Sequence, residues 1–189
     1  RLGITGGIGS CKSVVSRLLR IMGYSVYDTD SEAKRLMESS LEVVQKLSEC
    51  FGRDIYHNGR LNRGLLSSRV FGKSDKIVLL NSIVHPVVRF DFYRWSESLN
   101  EEICFVESAI LYESRFDELV DEVWTVTAPE ELRISRVRQR SGLTEEEIKK
   151  RMAAQLSEEE KQRRAAHIIW NDGNVSVIHR VLSLLKSLE

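Results

Sequence analysis

A glycine-rich segment near the start of the sequence has the residue types needed to bind phosphate. Residues 6–13 read Gly-Gly-Ile-Gly-Ser-Cys-Lys-Ser and match the pattern G-x-x-x-x-G-K-S/T at every position except Cys11. Successive backbone N–H groups and a helix N-terminus form a concave positive site for nucleotide β- and γ-phosphates. Lys12 adds a charge that reaches those phosphates, and the Ser13 hydroxyl can ligate Mg²⁺. We therefore expect ATP contacts at Gly7, Ile8, Gly9, Ser10, Cys11, Lys12, Ser13 and Val14.

Cys11 stands where the pattern has its last glycine. Glycine serves at this position because a side chain there would strain the loop or crowd the phosphates. We expect the cysteine to weaken activity more than it disturbs the fold. Its thiol lies beside Lys12 at a predicted helix N-terminus, a setting that makes cysteines reactive.

Acidic residues follow two of the predicted strands, where ligands gather in open α/β sheets. Asp28 and Asp30 come after the second strand, and one of them could accept a proton from an attacking hydroxyl while the other positions metal-bound water. Which of the two takes the proton stays open at this point, and capping of the next helix is the alternative role for Asp30. Glu107 ends a further apolar strand and is predicted either to help hold Mg²⁺ and substrate or to be a solvated strand end.

Arginines recur at helical spacing in a polar stretch of the second half of the chain. Arg133, Arg136 and Arg140 lie on one stripe. Guanidinium groups bind phosphate oxygens bidentately and stabilise the charge of phosphoryl transfer. Because Arg136 and Arg140 are close to a Ser-Gly turn, we expect both to act in catalysis and Arg140 to contact ATP as well. Arg133 and Arg138 are predicted to lie on a solvated helix face.

The elements that must position these residues alternate between strand and helix patterns. Short runs rich in branched or aromatic residues predict five buried strands, Leu2–Thr5, Ser25–Tyr27, Ile103–Val106, Val123–Val126 and His167–Trp170. Helical patterns lie between the strands, which predicts an α/β fold with a five-stranded, mainly parallel sheet. The apolar spacing from Ile178 to Leu188 predicts a closing amphipathic helix packed on that sheet.

Two stretches interrupt this alternation and predict the domain organisation. Residues 31–102 have no evident buried strand, only helical patterns that break near Gly52, Gly59, Gly72 and Pro86, and predict a helical insertion. Residues 129–164 predict a mobile helical lid, in which Thr144 to Glu147 has the form of a capping box. The nucleotide-binding core is then expected to comprise residues 1–30, 103–128 and 165–189.

Composition and charge exclude several classes of protein. The 189 residues suffice for one well-packed domain with an insertion. Twenty-eight basic and 28 acidic side chains leave no formal charge, which argues against a general nucleic-acid or membrane-surface binder. No apolar run approaches a membrane span, and the first residues run directly into the glycine-rich segment, so no signal peptide is expected. Cys11, Cys50 and Cys104 suggest neither disulfides nor zinc, so we expect a soluble cytoplasmic protein.

Together these residues resemble the dephospho-CoA kinase family along essentially the whole chain. Thr5 to Ser13 match the family's opening except at Cys11, and Asp28 and Asp30 match its Asp-x-Asp motif. Where the family commonly has Asp-x-Pro-Leu-Leu-x-Glu, residues 107–113 read Glu-Ser-Ala-Ile-Leu-Tyr-Glu. Other matching positions are Gly59–Arg63, Arg69–Phe71, Asn81, His85, Pro86, Arg136, Arg140–Gly142, Arg151, Gln155, Asn171 and Gly173.

The resemblance implies a three-layer P-loop kinase fold and transfer of the ATP γ-phosphate to the ribose 3′-hydroxyl of dephospho-CoA. It also implies that Asp30 is the base. Dephospho-CoA is then expected to be held between the sheet edge and the insertion, with contacts at Asp30, Arg63, Arg69, His85 and Glu107. For His85, which with Pro86 is expected to close a helix, a structural role is the favoured alternative. Asn171 is a turn residue by default and could also contact the nucleotide.

Two other functions stay open at this point. One is a nucleoside or nucleotide kinase of the same fold, whose lid and insertion are organised alike. The other is an ATP-binding regulatory protein that has lost catalysis through Cys11. The acceptor that is phosphorylated distinguishes the first from dephospho-CoA kinase, and ATP binding without phosphate transfer would indicate the second.

Overall fold

Apolar runs form the strands of a central sheet, as expected of strands buried on both faces. The computed structural model describes residues 1–188. Up to residue 99 its strands and helices are β1 (Leu2–Thr5), α1 (Lys12–Ile21), β2 (Ser25–Asp28), α2 (Thr29–Ser39), α3 (Leu41–Phe51), β3 (Tyr56–His57), β4 (Arg60–Leu61), α4 (Arg63–Val70) and α5 (Ser74–Ser98). After residue 99 they are β5 (Cys104–Glu107), β6 (Glu122–Thr127), α6 (Glu130–Ser141), α7 (Glu145–Ala153), α8 (Glu158–Arg164), β7 (His167–Trp170) and α9 (Val177–Lys186).

The five-stranded sheet has the order β2-β5-β1-β6-β7. β1 pairs in parallel with both β5 and β6, and β6 pairs in parallel with β7. Within this register Ile4 lies opposite Glu107 on one side and Trp124 on the other. The carboxyl ends of these parallel strands therefore meet at one edge of the sheet. The five predicted strands are confirmed, each to within one residue at either end.

Helices cover both faces of the sheet, which confirms the predicted α/β fold. On one face α1 and α9 pack on the strands through a cluster of buried side chains that includes Ile4, Val15, Trp124, Val126 and Val181. On the other face α8 packs against β6, where the alternate side chains Thr125 and Thr127 are also buried. The apolar layer fixes the position of α1, and with it the loop that precedes α1.

The chain divides into two compact units. The first comprises Arg1–Tyr27 and the chain from Asn100 onward, and contains the sheet, α1 and the helices α6 to α9. The second comprises Asp28–Leu99 and contains α2 to α5 with the short hairpin of β3 and β4. Within residues 1–188, no helix is long and apolar enough to cross a membrane.

Pro86 lies inside α5 instead of ending a helix, so the prediction that His85 and Pro86 close a helical segment is wrong. A proline within a helix removes one backbone hydrogen bond and costs about 3 kcal/mol. The helix continues because it buries side chains before and after Pro86, among them Ile83, Val84 and Phe92. Packing of this apolar face within the second unit outweighs the local preference.

The hairpin of β3 and β4 contradicts the prediction that residues 31–102 contain helical patterns alone. Tyr56 pairs with Leu61 and His57 with Arg60 in an antiparallel ladder. Both turn residues have positive φ, 50° at Asn58 and 74° at Gly59. Asn-Gly is the sequence signal of such a two-residue hairpin turn, but two-residue strands are too short to show an alternating pattern.

Residues 129–164 form three helices, one more than the two expected to meet at the Ser141-Gly142 turn. α6 ends at Ser141, and Gly142, which follows it, has a φ of 67°, typical of the glycine after a helix. The capping box of α7 is confirmed, because the Thr144 hydroxyl accepts from the Glu147 amide at 3.3 Å and the Glu147 carboxylate accepts from the Thr144 amide at 2.8 Å. We refer to α6, α7 and α8 as the lid helices.

Candidate active site

The glycine-rich loop lies between β1 and α1, at the carboxyl edge of the sheet. It turns where the Ser10 amide donates to the Gly7 carbonyl oxygen at 3.1 Å. A Cβ added at Gly6 would overlap the Val126 carbonyl oxygen, and one added at Gly9 would overlap the backbone of α6. Gly9 also has a φ of 83°, a conformation that favours glycine. At Gly6 and Gly9 the neighbouring backbone therefore leaves no space for a side chain, and this part of the loop presents the main-chain groups that can bind phosphate.

Lys12 and Ser13 form the first turn of α1. Lys12 is half-buried and Ser13 is exposed. The first turn of α1 contains no acidic side chain, so nothing within it neutralises the positive end of the helix dipole. Main-chain donors, a lysine and a hydroxyl of the type that ligates Mg²⁺ therefore fit the phosphates of a nucleotide.

Cys11 adopts the left-handed conformation, with φ 62° and ψ 41°. This conformation costs an L-residue roughly 1–2 kcal/mol relative to the right-handed one, whereas glycine adopts it freely. The Cys11 Sγ lies 3.7 Å from the Gly9 carbonyl oxygen, so the side chain folds back over the loop's own backbone. The cysteine therefore holds the conformation for which the motif normally uses glycine.

We expect Cys11→Gly to raise kcat/KM for ATP. Strain of about 1–3 kcal/mol, if expressed in nucleotide binding or the transition state, corresponds to a factor of about 5 to 150. Steady-state kinetics of the two purified proteins measures the difference, with Cys50→Ala on α3 as the control. An unchanged kcat/KM would mean that the loop accommodates the side chain without catalytic cost.

Chemical labelling of Cys11 is a second way to test whether this residue lies beside the phosphates. Cys11 is partly exposed, Cys50 is exposed and Cys104 is buried. We expect alkylation of Cys11 to inactivate the enzyme and ATP to slow that labelling, while leaving the labelling of Cys50 unchanged. Equal labelling of Cys11 with and without ATP would contradict a position beside the phosphates.

Glu107 is the last residue of β5 and is buried. The alternative of a solvated strand end is therefore wrong. The next amide, that of Ser108, donates to the Ile4 carbonyl oxygen at 3.0 Å. This bond fixes the end of β5 beside the strand that leads into the glycine-rich loop, so a carboxylate lies at the same edge as the predicted phosphate site.

Asn171 follows β7 and ties the glycine-rich loop in place. Its backbone amide donates to the Thr127 carbonyl oxygen at 2.8 Å, and its side-chain Nδ2 donates to the Ser10 carbonyl oxygen at 3.0 Å. The Arg136 Nη2 in turn donates to the Asn171 carbonyl oxygen at 2.8 Å. Three residues predicted for the site, Ser10, Arg136 and Asn171, are thus joined in one network, and their contacts with nucleotide stay predictions.

Arg133 is buried, so the prediction of a solvated position is wrong for this residue. Its Nε donates to the Ala128 carbonyl oxygen at 3.1 Å, and its Nη1 lies 3.5 Å from the Glu158 Oε1. The other Glu158 oxygen accepts from the Thr127 hydroxyl at 2.8 Å. A Cβ added at Gly7 would overlap the Glu158 carboxylate. A buried ion pair of two lid helices therefore lies against the glycine-rich loop.

Ile8 joins the loop to the lid helices. Its side chain packs against a small apolar cluster formed by Ile134, Val137 and Ile148. Its amide donates to the Gln155 Oε1 at 3.2 Å. Ile8 therefore connects the backbone that is predicted to hold phosphate to side chains of both α6 and α7.

Arg140 is exposed near the end of α6, and Arg138 is exposed as predicted. We expect Arg140→Ala to lower kcat/KM for ATP by about tenfold or more, because a charge-assisted hydrogen bond is worth about 1.5–3 kcal/mol. Arg138→Ala, which removes the same charge from the same helix, is the matched control. Equal losses of kcat/KM in the two variants would contradict a specific contact at Arg140.

In the second unit, Asp28 caps α2. Its Oδ1 accepts from the Asp30 and Ser31 amides at 3.0 and 3.2 Å, and its Oδ2 accepts from the Ser31 hydroxyl at 3.2 Å. The capping alternative for Asp30 is therefore wrong, because its neighbour performs that role. Asp30 lies in the first turn of α2 and is exposed.

Arg63 and Arg69, both predicted to contact substrate, each have an acidic partner in the second unit. The Arg63 Nη2 lies 3.3 Å from the Glu38 Oε1, and both side chains are partly exposed. Arg69 binds Asp54 bidentately and donates to the Phe51 carbonyl oxygen at the end of α3. Hydrogen bonding from Arg69 lowers the pKa of the Asp54 carboxyl. Arg69 thus has a structural role, and its contact with substrate stays a prediction.

His85 is half-buried within α5. Burial lowers the pKa of its imidazole, and the charge of Arg89 lowers it further. The side chain is therefore predominantly neutral at pH 7. A neutral histidine in the middle of a packed helix fits a structural role, while its contact with substrate stays a prediction.

A phosphate-binding loop that leads from the first strand of a parallel sheet into a helix, with lid helices packed against it, places the protein among the P-loop kinases. Its sequence matches the dephospho-CoA kinase family over residues 1–176, and the chain belongs to that family. The resemblance predicted from the motifs is thereby confirmed, and family membership entails the use of ATP as phosphate donor.

Individual relatives agree with this assignment. The dephospho-CoA kinase of Bacteroides fragilis is 40% identical over 189 residues, which cover 100% of this chain and 92% of the relative. A crystal structure from Thermus thermophilus is 36% identical, with a TM-score of 0.85 over 99% of this chain and 96% of that one. The dephospho-CoA kinase structure from Campylobacter jejuni is 23% identical with a TM-score of 0.74, covers 99% of this chain and 96% of that one, and is similar in fold.

Proposed function

We propose that the protein transfers the γ-phosphate of ATP to the ribose 3′-hydroxyl of dephospho-CoA and so produces ADP and CoA, the last step of coenzyme A biosynthesis. The observation that carries the proposal is the glycine-rich loop ending in Lys12 and Ser13, in a chain that matches the dephospho-CoA kinase family over residues 1–176. Similarity to the Bacteroides fragilis dephospho-CoA kinase along the whole chain supports the same acceptor.

The first unit supplies the phosphate donor site in this proposal. The amides of the glycine-rich loop and Lys12 bind the β- and γ-phosphates, and the Ser13 hydroxyl would hold Mg²⁺. When bound, Mg²⁺ neutralises charge on the phosphates. Arg136 and Arg140 stabilise the charge that develops during transfer, and Arg140 also contacts ATP when the lid helices, residues 129–164, close and exclude water.

Two carboxylates act on the acceptor side. Asp30 takes the proton from the attacking ribose hydroxyl, and its exposed position in the first turn of α2 leaves it accessible to substrate. Glu107, buried at the end of β5, orients the acceptor or metal-bound water. Because Asp28 is used as the cap of α2, it is the less suitable base.

The second unit supplies the acceptor site. It contains a groove of about 330 Å³ whose walls are mainly apolar. Apolar walls suit the pantetheine arm of dephospho-CoA, and cations beside them suit the pyrophosphate that joins this arm to the adenosine. The lining residues are Lys34, Met37, Leu61, Arg63, Leu66, Ser67, Val70, Phe71, Ile77 and Leu80. We therefore assign residues 28–99 to binding of dephospho-CoA, with Arg63 the cation expected to contact it.

A coupled assay of ADP release, run with dephospho-CoA, with nucleoside monophosphates and with no acceptor, tests the proposal. We expect ADP release with dephospho-CoA alone, and mass spectrometry should show one added phosphate on that acceptor. Release with nucleoside monophosphates would indicate a nucleoside or nucleotide kinase instead. ATP binding without transfer would indicate a catalytically weakened protein, an alternative favoured by the left-handed backbone of Cys11.

The compartment and partners of the protein follow from the same proposal. ATP and dephospho-CoA are its small-molecule partners. The thiols of Cys11, Cys50 and Cys104 are free, which supports a reducing compartment. Location in the cytoplasm and the absence of nucleic-acid and membrane partners stay predictions from the sequence.

A further inference from the structure

Lys161, on α8, is a fully buried cation. Its Nζ donates to the Ala109 carbonyl oxygen at 2.8 Å and lies 3.7 Å from the Glu113 Oε1. A buried ammonium is costly unless it is paired and hydrogen-bonded, and both of these contacts are with the segment that follows β5. Ala109 is two residues beyond Glu107, so Lys161 holds the turn that begins at the candidate carboxylate.

Glu113 connects this turn to the lid helices. The same Oε1 that faces Lys161 accepts from the Leu156 amide at 2.7 Å, and Leu156 lies in the link from α7 to α8. Burial lowers the pKa of Lys161, while the carboxylates of Glu113 and Glu158 oppose that effect and the charge of Lys12 adds to it. Lys161 is therefore within electrostatic reach of the lysine of the glycine-rich loop.

The position of Lys161 on α8 extends this connection to a second strand. Glu158 precedes Lys161 by three residues and so lies on the same face of the helix. Glu158 contacts Thr127 at the end of β6, whereas Lys161 contacts the turn after β5. The lid helix α8 thus contacts residues at or just beyond the ends of both β5 and β6, at the edge of the sheet that carries the predicted phosphate site.

We propose that Lys161 is a positioning residue for phosphoryl transfer, which holds the end of β5 and its carboxylate Glu107 in a fixed relation to the lid helices through Ala109 and Glu113. The proposal rests on the proposed function, in which Glu107 acts on the acceptor side. The contacts of the Lys161 ammonium are with the Ala109 carbonyl oxygen and the Glu113 carboxylate, so its effect on the reaction passes through the position of Glu107. A misplacement of about 1 Å at such a site can cost about a hundredfold in rate.

Lys161→Met tests the proposal, because methionine keeps a long flexible side chain and removes the ammonium. We expect kcat to fall by about 10- to 100-fold while KM for ATP and for dephospho-CoA stays within about twofold. We also expect faster hydrogen exchange of the Leu156 amide, because its acceptor Glu113 loses its partner. Lys149→Met is the matched control, since Lys149 is exposed on α7 and pairs with Glu145 at 2.7 Å. It should leave both measurements at the wild-type value.

Three outcomes decide the question. Wild-type kcat per ATP-binding site in folded Lys161→Met would overturn the proposal, because a merely structural role lowers the folded fraction and leaves the turnover of each folded molecule intact. If Lys161→Met fails to fold, Glu113→Gln replaces it, because this variant removes the charge that faces Lys161 and keeps an acceptor oxygen for the Leu156 amide. Wild-type kcat in that variant would also overturn the proposal. Failure of the wild type to phosphorylate dephospho-CoA would contradict the proposed function instead. The exchange of the Leu156 amide needs no substrate, and unchanged exchange in Lys161→Met would still overturn the link that Lys161 and Glu113 are proposed to make between the turn after β5 and the lid helices.

Discussion

Replacement of Lys12 by alanine is expected to lower turnover by at least about a hundredfold while the fold stays intact. The Lys12 ammonium neutralises charge on the β- and γ-phosphates, and this contribution grows as charge moves in the transition state. The fold should survive because α1 is anchored by Val15 and Leu19, which are fully buried, whereas Lys12 is half-buried at the first position of the helix. Steady-state kcat, together with circular dichroism and thermal unfolding, measures both parts of the prediction.

Arg17→Ala provides the matched control for this variant. Arg17 is an exposed cation on the same helix, and its removal changes the net charge by the same amount. We expect wild-type kcat in this control. Unchanged turnover in a folded Lys12→Ala variant would mean that the glycine-rich loop has no part in the mechanism. Equal losses of turnover in both variants would mean that the loss follows from the change in net charge and not from a contact of Lys12.

The sheet could be predicted from sequence because its strands are defined by their own residues. β1 is buried at all four positions, and β5 likewise, and their apolar residues Leu2, Ile4, Cys104, Phe105 and Val106 indicate strands buried on both faces. The glycine-rich motif then fixes where β1 ends and α1 begins. Strands that are specified by their own residues could therefore be placed to within one residue at either end, and the motif placed the start of the following helix.

Elements that depend on packing were predicted less well. Pro86 favours a helix end by its local chemistry, and only the burial of residues along α5 explains why the helix continues. The β3 and β4 hairpin has strands of two residues, so its sole signal was the Asn58-Gly59 pair. The local conformational preference of proline predicted a helix end at Pro86, which is wrong, and the two-residue strands were too short to be predicted from their pattern.

The burial of charged residues could not be predicted from spacing along a helix. Arg133 shares its stripe with Arg136 and Arg140, yet it is buried because Glu158 and the Ala128 carbonyl oxygen lie beside it. Glu158 comes from a different lid helix. Helical periodicity places such residues on one face, but it does not say which part of that face a partner helix covers. For the same reason, the burial of Lys161 could not be predicted from the sequence.

Asp30→Asn is expected to lower kcat by about 10²–10⁴-fold with ATP affinity little changed, because asparagine keeps the shape of the side chain and cannot take the hydroxyl proton. Loss of a helix cap would be a second explanation for a fall in kcat, and the structure excludes it. The amides at the start of α2 are capped by Asp28, so replacing Asp30 leaves the cap of the helix in place. Turnover with dephospho-CoA and equilibrium binding of ATP measure the two quantities separately.

Asp28→Asn is the control, because asparagine caps a helix about as well as aspartate and the variant removes the neighbouring carboxylate. If Asp30 is the base, the loss of kcat in Asp30→Asn should exceed that in Asp28→Asn by at least about tenfold. A near-normal kcat in Asp30→Asn would transfer the role of base to Asp28 or to Glu107. A large loss in Asp28→Asn alone would select Asp28. Near-normal kcat in both variants would leave Glu107, the buried carboxylate at the end of β5, as the base.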